Sequence, residues 1–261
     1  MSTSAIAIPS RPAEGNGIVR ILAKEVRYEW VKMLRTRAFS LSVLGFPIMF
    51  YLLFGASNRH TDFARYLMAS YACMGTVSAC LFGIGMGISM ERAMGWLELK
   101  LASPMPRLAY LVAKIVGSAI FALIIQAVLI LLAVTIGQTH VTAVEALRLT
   151  TVVLAGTLPF AAMGLLIAVS VPANSAPGII NLIYLPMSFA SGFWMPITYL
   201  PHWLQKFAPA LPTYHLAQLA LSVIGMAQPG SSVQHWQVLA GYTFVLFGAA
   251  WMIFTRQEAK Q

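Results

Sequence analysis

Long stretches without any Asp, Glu, Lys or Arg alternate with short charged segments along this chain of 261 residues. The uncharged stretches run between Arg37 and Arg59, Arg65 and Glu91, Lys114 and Glu145, Arg148 and Lys206, and Lys206 and Arg256. Each can hold at least one helix of about 20 apolar residues, the length that crosses a bilayer. The apolar positions are continuous and lack the alternation of a barrel strand. The pattern predicts an all-α integral membrane protein.

Six membrane-spanning helices are predicted within these stretches. They lie near residues 38–57, 66–90, 111–136, 149–171, 178–195 and 237–255. The stretch that ends at Lys206 is too long for one helix, and Pro172 and Pro177 are predicted to break it because both cannot lie in one regular helix. The apolar segment 216–227 has only about a dozen residues, too few to cross a bilayer. We interpret it as an interfacial or re-entrant helix, and a seventh span there is the main alternative.

The composition agrees with this pattern, since 59% of the residues are hydrophobic and 10% are charged. Soluble domains are about 45–50% apolar and about 25% charged, so a soluble globular class is excluded. The net charge of +9 suggests nucleic acid, but a nucleic-acid surface needs a folded soluble module and no segment has that pattern. No nucleic-acid partner is predicted. Cys73 and Cys80 fall inside the second predicted span, where we interpret them as packing residues.

The positions of the cations predict the orientation of the chain in the membrane. With a cytoplasmic N-terminus, the cytoplasmic segments hold all but four of the 17 Lys and Arg residues. The four exceptions are Arg59, Arg65, Arg148 and Lys206. Because Lys and Arg are enriched in cytoplasmic loops, this orientation is strongly favoured over its inverse. Both termini, including a short tail at 256–261, are therefore predicted to be cytoplasmic, which requires an even number of spans.

Residues 18–37 have the two-faced pattern of an amphipathic helix. Apolar residues such as Val26 and Trp30 fall on one side, and most of the cations fall on the other. Glu29 is out of place on the apolar side. Such a helix can lie among the lipid headgroups with its cations facing anionic lipid or a partner, or it can be a simple topology anchor. Residues 1–17 have no periodicity and are predicted to be disordered.

A short charged segment follows the second predicted span. It reads Glu91-Arg92-Ala93-Met94-Gly95-Trp96-Leu97-Glu98-Leu99-Lys100-Leu101-Ala102-Ser103-Pro104 and is predicted to face the cytoplasm. A short helix held between two long spans could transmit a push from a cytoplasmic partner into the membrane. A solvated loop with a helix end is the alternative, and the spacing alone does not decide between the two.

Two motifs carry a resemblance to a known family. The first consists of Glu91-Arg92, Gly95, Leu97-Glu98 and Leu101-Ala102-Ser103-Pro104, followed by Arg107 and Lys114. The second consists of Ser191-Gly192-Phe193-Trp194-Met195-Pro196, Leu200-Pro201-His202-Trp203-Leu204 and Leu211-Pro212-Thr213-Tyr214-His215. They resemble the coupling segment and the external hairpin of type 2 ATP-binding-cassette (ABC) exporter permeases, and the resemblance covers about residues 18–255. Trp96 and Gln126 depart from the family's usual pattern.

The resemblance implies that two permease copies pair and that two cytoplasmic ATPase subunits bind beneath them. The implied ATPase contacts are Glu91, Arg92, Met94, Gly95, Trp96, Leu97, Glu98, Leu101, Ser103 and Pro104. ATP and Mg²⁺ would bind to the ATPase subunits, because this chain lacks the G-x-x-x-x-G-K-[ST] loop that holds nucleotide phosphates. The sequence also has no H-E-x-x-H motif and no cluster with metal-ligand spacing. No catalytic residue, metal or bound cofactor is predicted for this chain.

The resemblance also implies a substrate pathway along the seam between the two copies. Its candidate lining residues are Phe82, Met86, Tyr184, Phe189 and Phe193. The implied external gate includes Trp194, Pro196, Pro201, Trp203, Pro212 and Tyr214. Large apolar side chains without an intramembrane charge suit an amphipathic or hydrophobic substrate, such as a drug, an antibiotic or a lipid. The expected function is ATP-driven, multidrug-type efflux across a bacterial inner membrane, in contact with membrane lipids.

Other functions stay open as alternatives. A secondary transporter or channel would need acids or discontinuous helices near the midplane of the membrane, and none of the eight acids falls inside a predicted span. A membrane-embedded enzyme would need a catalytic pair near the bilayer. A membrane assembly protein that is not driven by ATP would need no polar pathway.

Overall fold

The computed structural model describes residues 16–102 and 106–258, and this part of the chain is helical without any β-strand. Its helices are α1 (Asn16–Arg35), α2 (Arg37–Phe50), α3 (Asp62–Cys80), α4 (Gly87–Ala93), α5 (Trp96–Ala102), α6 (Arg107–Thr135), α7 (Ala143–Ser170), α8 (Ala176–Ala190), α9 (His202–Phe207), α10 (Pro212–Val223) and α11 (Ser232–Glu258). The predicted all-α fold is confirmed for these residues. Of the segment predicted to be disordered, residues 1–15 lie outside the described part, and Asn16 begins α1.

Five segments of the described chain are long and apolar enough to cross a membrane. They are Phe39–Asn58, Asp62–Ala93, Leu108–Thr135, Ala143–Ser170 and Ser232–Arg256. They correspond to five of the six predicted spans. The remaining predicted span, 178–195, corresponds to α8, which has 15 residues. At about 1.5 Å per residue, α8 is shorter than the hydrocarbon core of roughly 30 Å, so this helix alone does not reach across.

The short length of α8 has a local cause at its C-terminal end. Gly192 has a φ of +82°, a left-handed conformation that most other residues avoid. The N–H of Gly192 donates to the carbonyl oxygen of Phe189, and the N–H of Phe193 donates to that of Ser188, both at 3.2 Å. These two bonds form a Schellman motif, which satisfies the last carbonyls of a helix and ends it. The sequence prediction ran on to residue 195 because the apolar residues continue past this glycine.

The second span, Asp62–Ala93, lies at the centre of the fold, and almost all of its most apolar part is buried. It consists of α3, a π-helical turn at Leu81–Met86, and α4. The π-helical turn crosses α7 where Gly85 and Gly164 meet, and a Cβ atom on Gly164 would lie 3.1 Å from the backbone nitrogen of Gly85. Side chains at these positions would separate the two helices, so the glycines permit this close crossing.

Two segments are more buried than the sequence pattern predicts. The predicted amphipathic helix at 18–37 corresponds to α1, which packs against α6 with Glu29 and Met33 only 1% and 5% exposed. The apolar segment predicted at 216–227 corresponds to α10, most of which is buried, including polar residues such as Gln218. A helix on a membrane surface keeps one face exposed, so the interfacial interpretation of this segment is corrected. α10 is a short helix inside the bundle, between α3, α7 and α11.

Candidate functional site

Six charged side chains and one tyrosine meet where α1, α4, α5 and α6 come together. We call this set the buried ion network, and its members are Glu25, Glu29, Lys32, Glu91, Lys100, Tyr110 and Lys114. The side chains of Lys114, Glu29 and Glu91 are 1%, 2% and 5% exposed. These three charges form the centre of the network, and the other members surround them.

Lys114 of α6 joins the other two central residues directly. Its ammonium group donates to Glu29 Oε2 at 3.1 Å and to Glu91 Oε1 at 2.8 Å. Lys32 of α1 also donates to both carboxylates, at 2.9 Å in the case of Glu29. The hydroxyl of Tyr110 donates to the second oxygen of Glu91 at 2.5 Å. Both carboxylates therefore have several donors, as buried charges require.

Lys100 connects α5 to the same network. Its ammonium group forms ion pairs with Glu25 and, at 3.4 Å, with Glu29. It also lies 5.0 Å from the ring centroid of Tyr110, within the range of a cation–π interaction. α5 has only seven residues, and helices this short are unstable by themselves in water. Contacts such as those of Lys100 therefore fix the position of α5.

The charges of the network balance, because three carboxylates face three ammonium groups. Burial alone lowers the pKa of Lys32, but the carboxylates of Glu29 and Glu91 outweigh burial and raise that pKa. Burial also lowers the pKa of Lys100, but the carboxylates of Glu25, Glu91 and Glu29 outweigh burial and raise that pKa. Both ammonium groups stay charged at neutral pH. Removing one partner of a buried pair leaves the other unpaired, which typically costs about 3–5 kcal/mol.

The predicted ATPase contacts divide into buried and exposed residues. Glu91 lies inside the network and not on the surface, so its expected role changes from direct contact to support of the segment from within. Arg92 donates from its guanidinium group to the carbonyl oxygen of Val171, just after α7. Met94 and Trp96 are 54% and 47% exposed. These two apolar side chains have the surface that a partner could contact.

Gly95 separates α4 from α5 with a φ of +71°. Apart from its neighbours in the chain, none of the described residues has an atom within 4 Å of the position that its Cβ would take. The backbone conformation and not the available space therefore favours glycine here. Three other predicted contacts lie in α5, namely Leu97, Glu98 and Leu101. Ser103 and Pro104 lie outside the described residues.

Sequence reasoning missed the centre of the network. It treats Glu29 as an acid out of place on an apolar helix face, and it includes Lys114 as a cytoplasmic cation and as the end of the first motif without pairing it with an acid. The two residues together were a usable signal, because an acid on a buried face needs a cation as its partner. Tyr110 gave no comparable signal, since tyrosines near the ends of spans are ordinary.

Comparison with known proteins identifies the family. The family model described as ABC-2 type transporter matches residues 25–224, a range that contains the whole buried ion network. The chain belongs to the ABC-2 type transporter family. It is also similar to "Putative transport permease YvfS" of Bacillus subtilis (strain 168), with 26% identity over 247 residues, which covers 92% of this chain and the full length of that protein. The chain is thus a membrane transport permease of a family that works with ATPase partners.

The pathway residues predicted for this ABC-2 permease have different surroundings. The rings of Phe82 and Tyr184 contact edge to face with centroids 6.0 Å apart. Met86 lies in the same π-helical turn as Phe82 and is partly buried, whereas Phe189 is 42% exposed. Phe193 is 0% exposed and lies in the main core. In the described arrangement Phe193 therefore has no surface to offer to a seam between copies, and its expected lining role is corrected to core packing.

The predicted hairpin of the ABC-2 permease contains α9 and two short 3₁₀ turns. The three prolines predicted for the gate each precede or begin a helical element, and they are Pro196, Pro201 and Pro212. A fixed φ and a missing N–H suit proline to the first turn of a helix. Trp203 is 70% exposed, whereas Trp194 contacts the ring of Phe50 edge to face at 4.9 Å. The two tryptophans therefore do not share one surface.

A histidine pair links α10 to α11. Nε2 of His215 lies 2.9 Å from the carbonyl oxygen of Pro209, and the Nδ1 atoms of His215 and His235 lie 2.8 Å apart. Because a carbonyl oxygen can only accept, Nε2 of neutral His215 carries the proton and its Nδ1 accepts from His235. The ring of Tyr214 contacts both histidines edge to face. The bond between the two rings needs at least one neutral histidine, because two protonated rings would both present N–H donors.

We expect the link between α10 and α11 to weaken in acid. Burial lowers the pKa of His215, whereas a histidine in an unfolded chain has a pKa of about 6.5. As the pH falls below about 6.5, the unfolded chain binds a proton before the folded one does, so the free energy of unfolding decreases. His215→Gln should therefore flatten the dependence of the melting temperature on pH, measured in detergent between about pH 7 and pH 5. His202→Gln, on the exposed side of α9, is the control, and an unchanged pH dependence in His215→Gln contradicts the prediction.

Proposed function

We propose that this chain is the membrane subunit of an ATP-driven exporter. Two copies pair, two cytoplasmic ATPase subunits bind the exposed side of the α4–α5 segment, and closure of the ATPase subunits on ATP moves that segment. The observation that carries the proposal is the buried ion network, because its bonds connect α5 to α1, to the second span and to the third span. A force on the short helix α5 would act on all of these elements together.

The transmission has a physical route. Met94 and Trp96 offer exposed apolar surface to the ATPase, and aromatic anchors of this kind carry much of the energy of an interface. Lys100 passes a displacement of α5 to Glu29, and Lys114 connects Glu29 to Glu91. Paired buried charges have few alternative arrangements, so the elements that they join are expected to move as one rigid body.

We propose six crossings, with both termini in the cytoplasm. An even number of crossings agrees with the distribution of Lys and Arg. The fifth crossing consists of α8 and the hairpin after it, which returns into the outer half of the membrane as a re-entrant element and gates the exit. Hydrogen bonds that hold this hairpin support the proposal. The hydroxyl of Tyr66 donates to the carbonyl oxygen of Gly192, and the hydroxyls of Ser191 and Thr213 are hydrogen-bonded to each other.

The proposed substrate is amphipathic or hydrophobic, of the drug-like or lipid-like kind, and it leaves the cytoplasm or the inner leaflet of a bacterial inner membrane. Exposed apolar side chains on α2 and α8 support this class. They include Phe46 and Leu182, which are 37% and 73% exposed, and neither helix carries an acid. Two copies that meet through α2 and α8 would enclose a path with apolar walls, which disfavours a strongly charged solute.

The proposal is tested by purification from native membranes followed by assays in proteoliposomes. We expect an ABC ATPase to co-purify, its ATP hydrolysis to rise with amphipathic compounds, and those compounds to move only when ATP is present. Trp96→Ala should weaken ATPase binding by about thirtyfold or more, because truncating an aromatic anchor costs about 2 kcal/mol or more. Trp203→Ala, in the exposed part of α9, is the matched control. Transport without ATP that follows an ion gradient overturns the proposal in favour of a secondary transporter.

Gly95→Ala provides a second check on the α4–α5 segment. The left-handed backbone at Gly95 costs an alanine roughly 1–2 kcal/mol, so α5 is expected to shift or fray and transport per ATP to fall. Gly95→Asn should retain more transport, because asparagine tolerates this conformation. Proteoliposomes that contain the permease and its ATPase give the ratio of transport to hydrolysis. Equal ratios for the alanine and asparagine variants contradict the prediction.

A further inference from the structure

An apolar cavity of about 120 Å³ lies beside the α4–α5 segment, and neither the family match nor the proposed function assigns it a role. Its walls come from α4, α5, α6, α7 and α11, and they include Leu97 and the buried residues Ala168 and Ala250. An apolar cavity of about 150 Å³ stays free of water and accepts a small hydrocarbon. This cavity therefore suits a short length of hydrocarbon chain and disfavours water.

The lining of the cavity reaches the outer surface of the helix bundle at Trp251. Trp251 of α11 lines the cavity and is 63% exposed. Its helix belongs to a segment that can span the membrane, so the exposed face of Trp251 is in reach of lipid. Tryptophan is typical of the zone between headgroups and hydrocarbon. A hydrocarbon chain that enters the cavity past Trp251 therefore comes from the bilayer.

Arg92 gives the cavity a positive edge. Among the described residues that line the cavity, Arg92 is charged and none is acidic. Its guanidinium group donates to the carbonyl oxygen of Val171, but a guanidinium group has five N–H donors. The planar donor arrangement matches the oxygens of a phosphate group. A ligand with an apolar chain and an anionic phosphate headgroup fits both parts of the site.

We propose that this cavity binds part of one acyl chain of an anionic phospholipid, with the lipid phosphate at Arg92. The rest of the lipid stays in the bilayer beside Trp251. The ligand is a membrane lipid and not the transported substrate, because the cavity lies within one protomer and neither Phe82 nor Tyr184 is among its lining residues.

Occupancy of the cavity acts on the α4–α5 segment. The bound acyl chain contacts Leu97 of α5 and the ring of Tyr110. The hydroxyl of Tyr110 in turn donates to Glu91. An unfilled cavity leaves its lining without contacts on one side. A bound chain supplies them and holds α5 against the buried ion network. This consequence for coupling rests on the proposed function, whereas lipid binding itself does not.

Native mass spectrometry of the detergent-purified protein, titrated with phosphatidylglycerol or phosphatidylcholine, tests the binding. Wild-type protein should retain one phosphatidylglycerol per protomer and prefer it to phosphatidylcholine. Ala168→Phe fills the cavity and should abolish this retention, whereas Ala240→Phe, on the exposed face of α11, should not. Arg92→Gln should reduce the preference for phosphatidylglycerol about tenfold, since a hydrogen bond to a charged group is lost. Equal retention by wild type and Ala168→Phe overturns the proposal.

A measurement on the unaltered chain avoids any folding defect in the variants. Phosphatidylglycerol with a diazirine near the end of one acyl chain should label residues inside the cavity, such as Leu165 or Ala168, after illumination. Labelling restricted to outward positions such as Phe244 means that the lipid is only annular and overturns the proposal.

ATP hydrolysis in nanodiscs separates this inference from the proposed function. With the ATPase partner present, phosphatidylglycerol should raise substrate-stimulated hydrolysis in wild type and not in Ala168→Phe. Coupled transport without bound lipid would end the inference and leave the proposed function intact. Specific lipid binding by a permease that has no ATPase partner would contradict the proposed function but would still support the lipid-binding site.

Discussion

Lys114→Met should reduce the free energy of unfolding by about 3–5 kcal/mol, the largest loss that we expect from a single substitution in this chain. The methionine fills similar space, but Glu29 and Glu91 lose the ammonium group that bonds to both of them. Lys32 and Lys100 cannot balance three carboxylates, so one buried negative charge stays uncompensated. Thermal unfolding of the purified permease in detergent, followed by tryptophan fluorescence, measures the loss.

Two further variants separate charge from packing. Lys206→Met removes an exposed cation in α9 and should change the melting temperature little, because exposed charges contribute little to stability. Lys114→Met combined with Glu91→Gln removes one charge of each sign, so the double variant should be more stable than the sum of the single losses predicts. A melting temperature for Lys114→Met equal to that of Lys206→Met would show that the network contributes nothing to stability.

The spans and the breaks between them were predictable because each depends on neighbouring residues. A run of apolar residues without charges marks a span, and Pro172 and Pro177 mark the turn before α8. The end of α8 was harder to predict, because Gly192 stops the helix within an apolar run and such runs ordinarily continue a span. Local pattern therefore predicted the five long segments and their order, but it also extended the short helix α8 into a sixth span.

The buried ion network was less predictable because its bonds join residues that are far apart in the chain. Lys114 is 85 residues from Glu29 and 23 from Glu91, and neither separation has a meaning within one helix. A single sequence shows only that Glu29 lies on an apolar face. The motif around Glu91 drew attention to the segment in which this member of the network lies, but its spacing could not tell whether the carboxylate faces the cytoplasm or the interior. Only the packing of α1 against α6 decides that question.

Glu91→Gln should leave the permease folded and inserted while uncoupling ATP hydrolysis from transport. The amide keeps the size of the side chain, but its single oxygen can replace only one of the two carboxylate oxygens that accept from Tyr110 and Lys114. The lost acceptor and the missing charge weaken the link between the second and third spans. Transport per ATP hydrolysed, measured in proteoliposomes with the ATPase partner, should fall about tenfold, as expected if this link contributes about 1.4 kcal/mol to the coupled state. Glu91→Asp keeps the charge and should retain more coupling. Normal transport by well-expressed Glu91→Gln and Glu91→Ala variants would remove Glu91 from the mechanism, and with it the reason to assign coupling to the buried ion network.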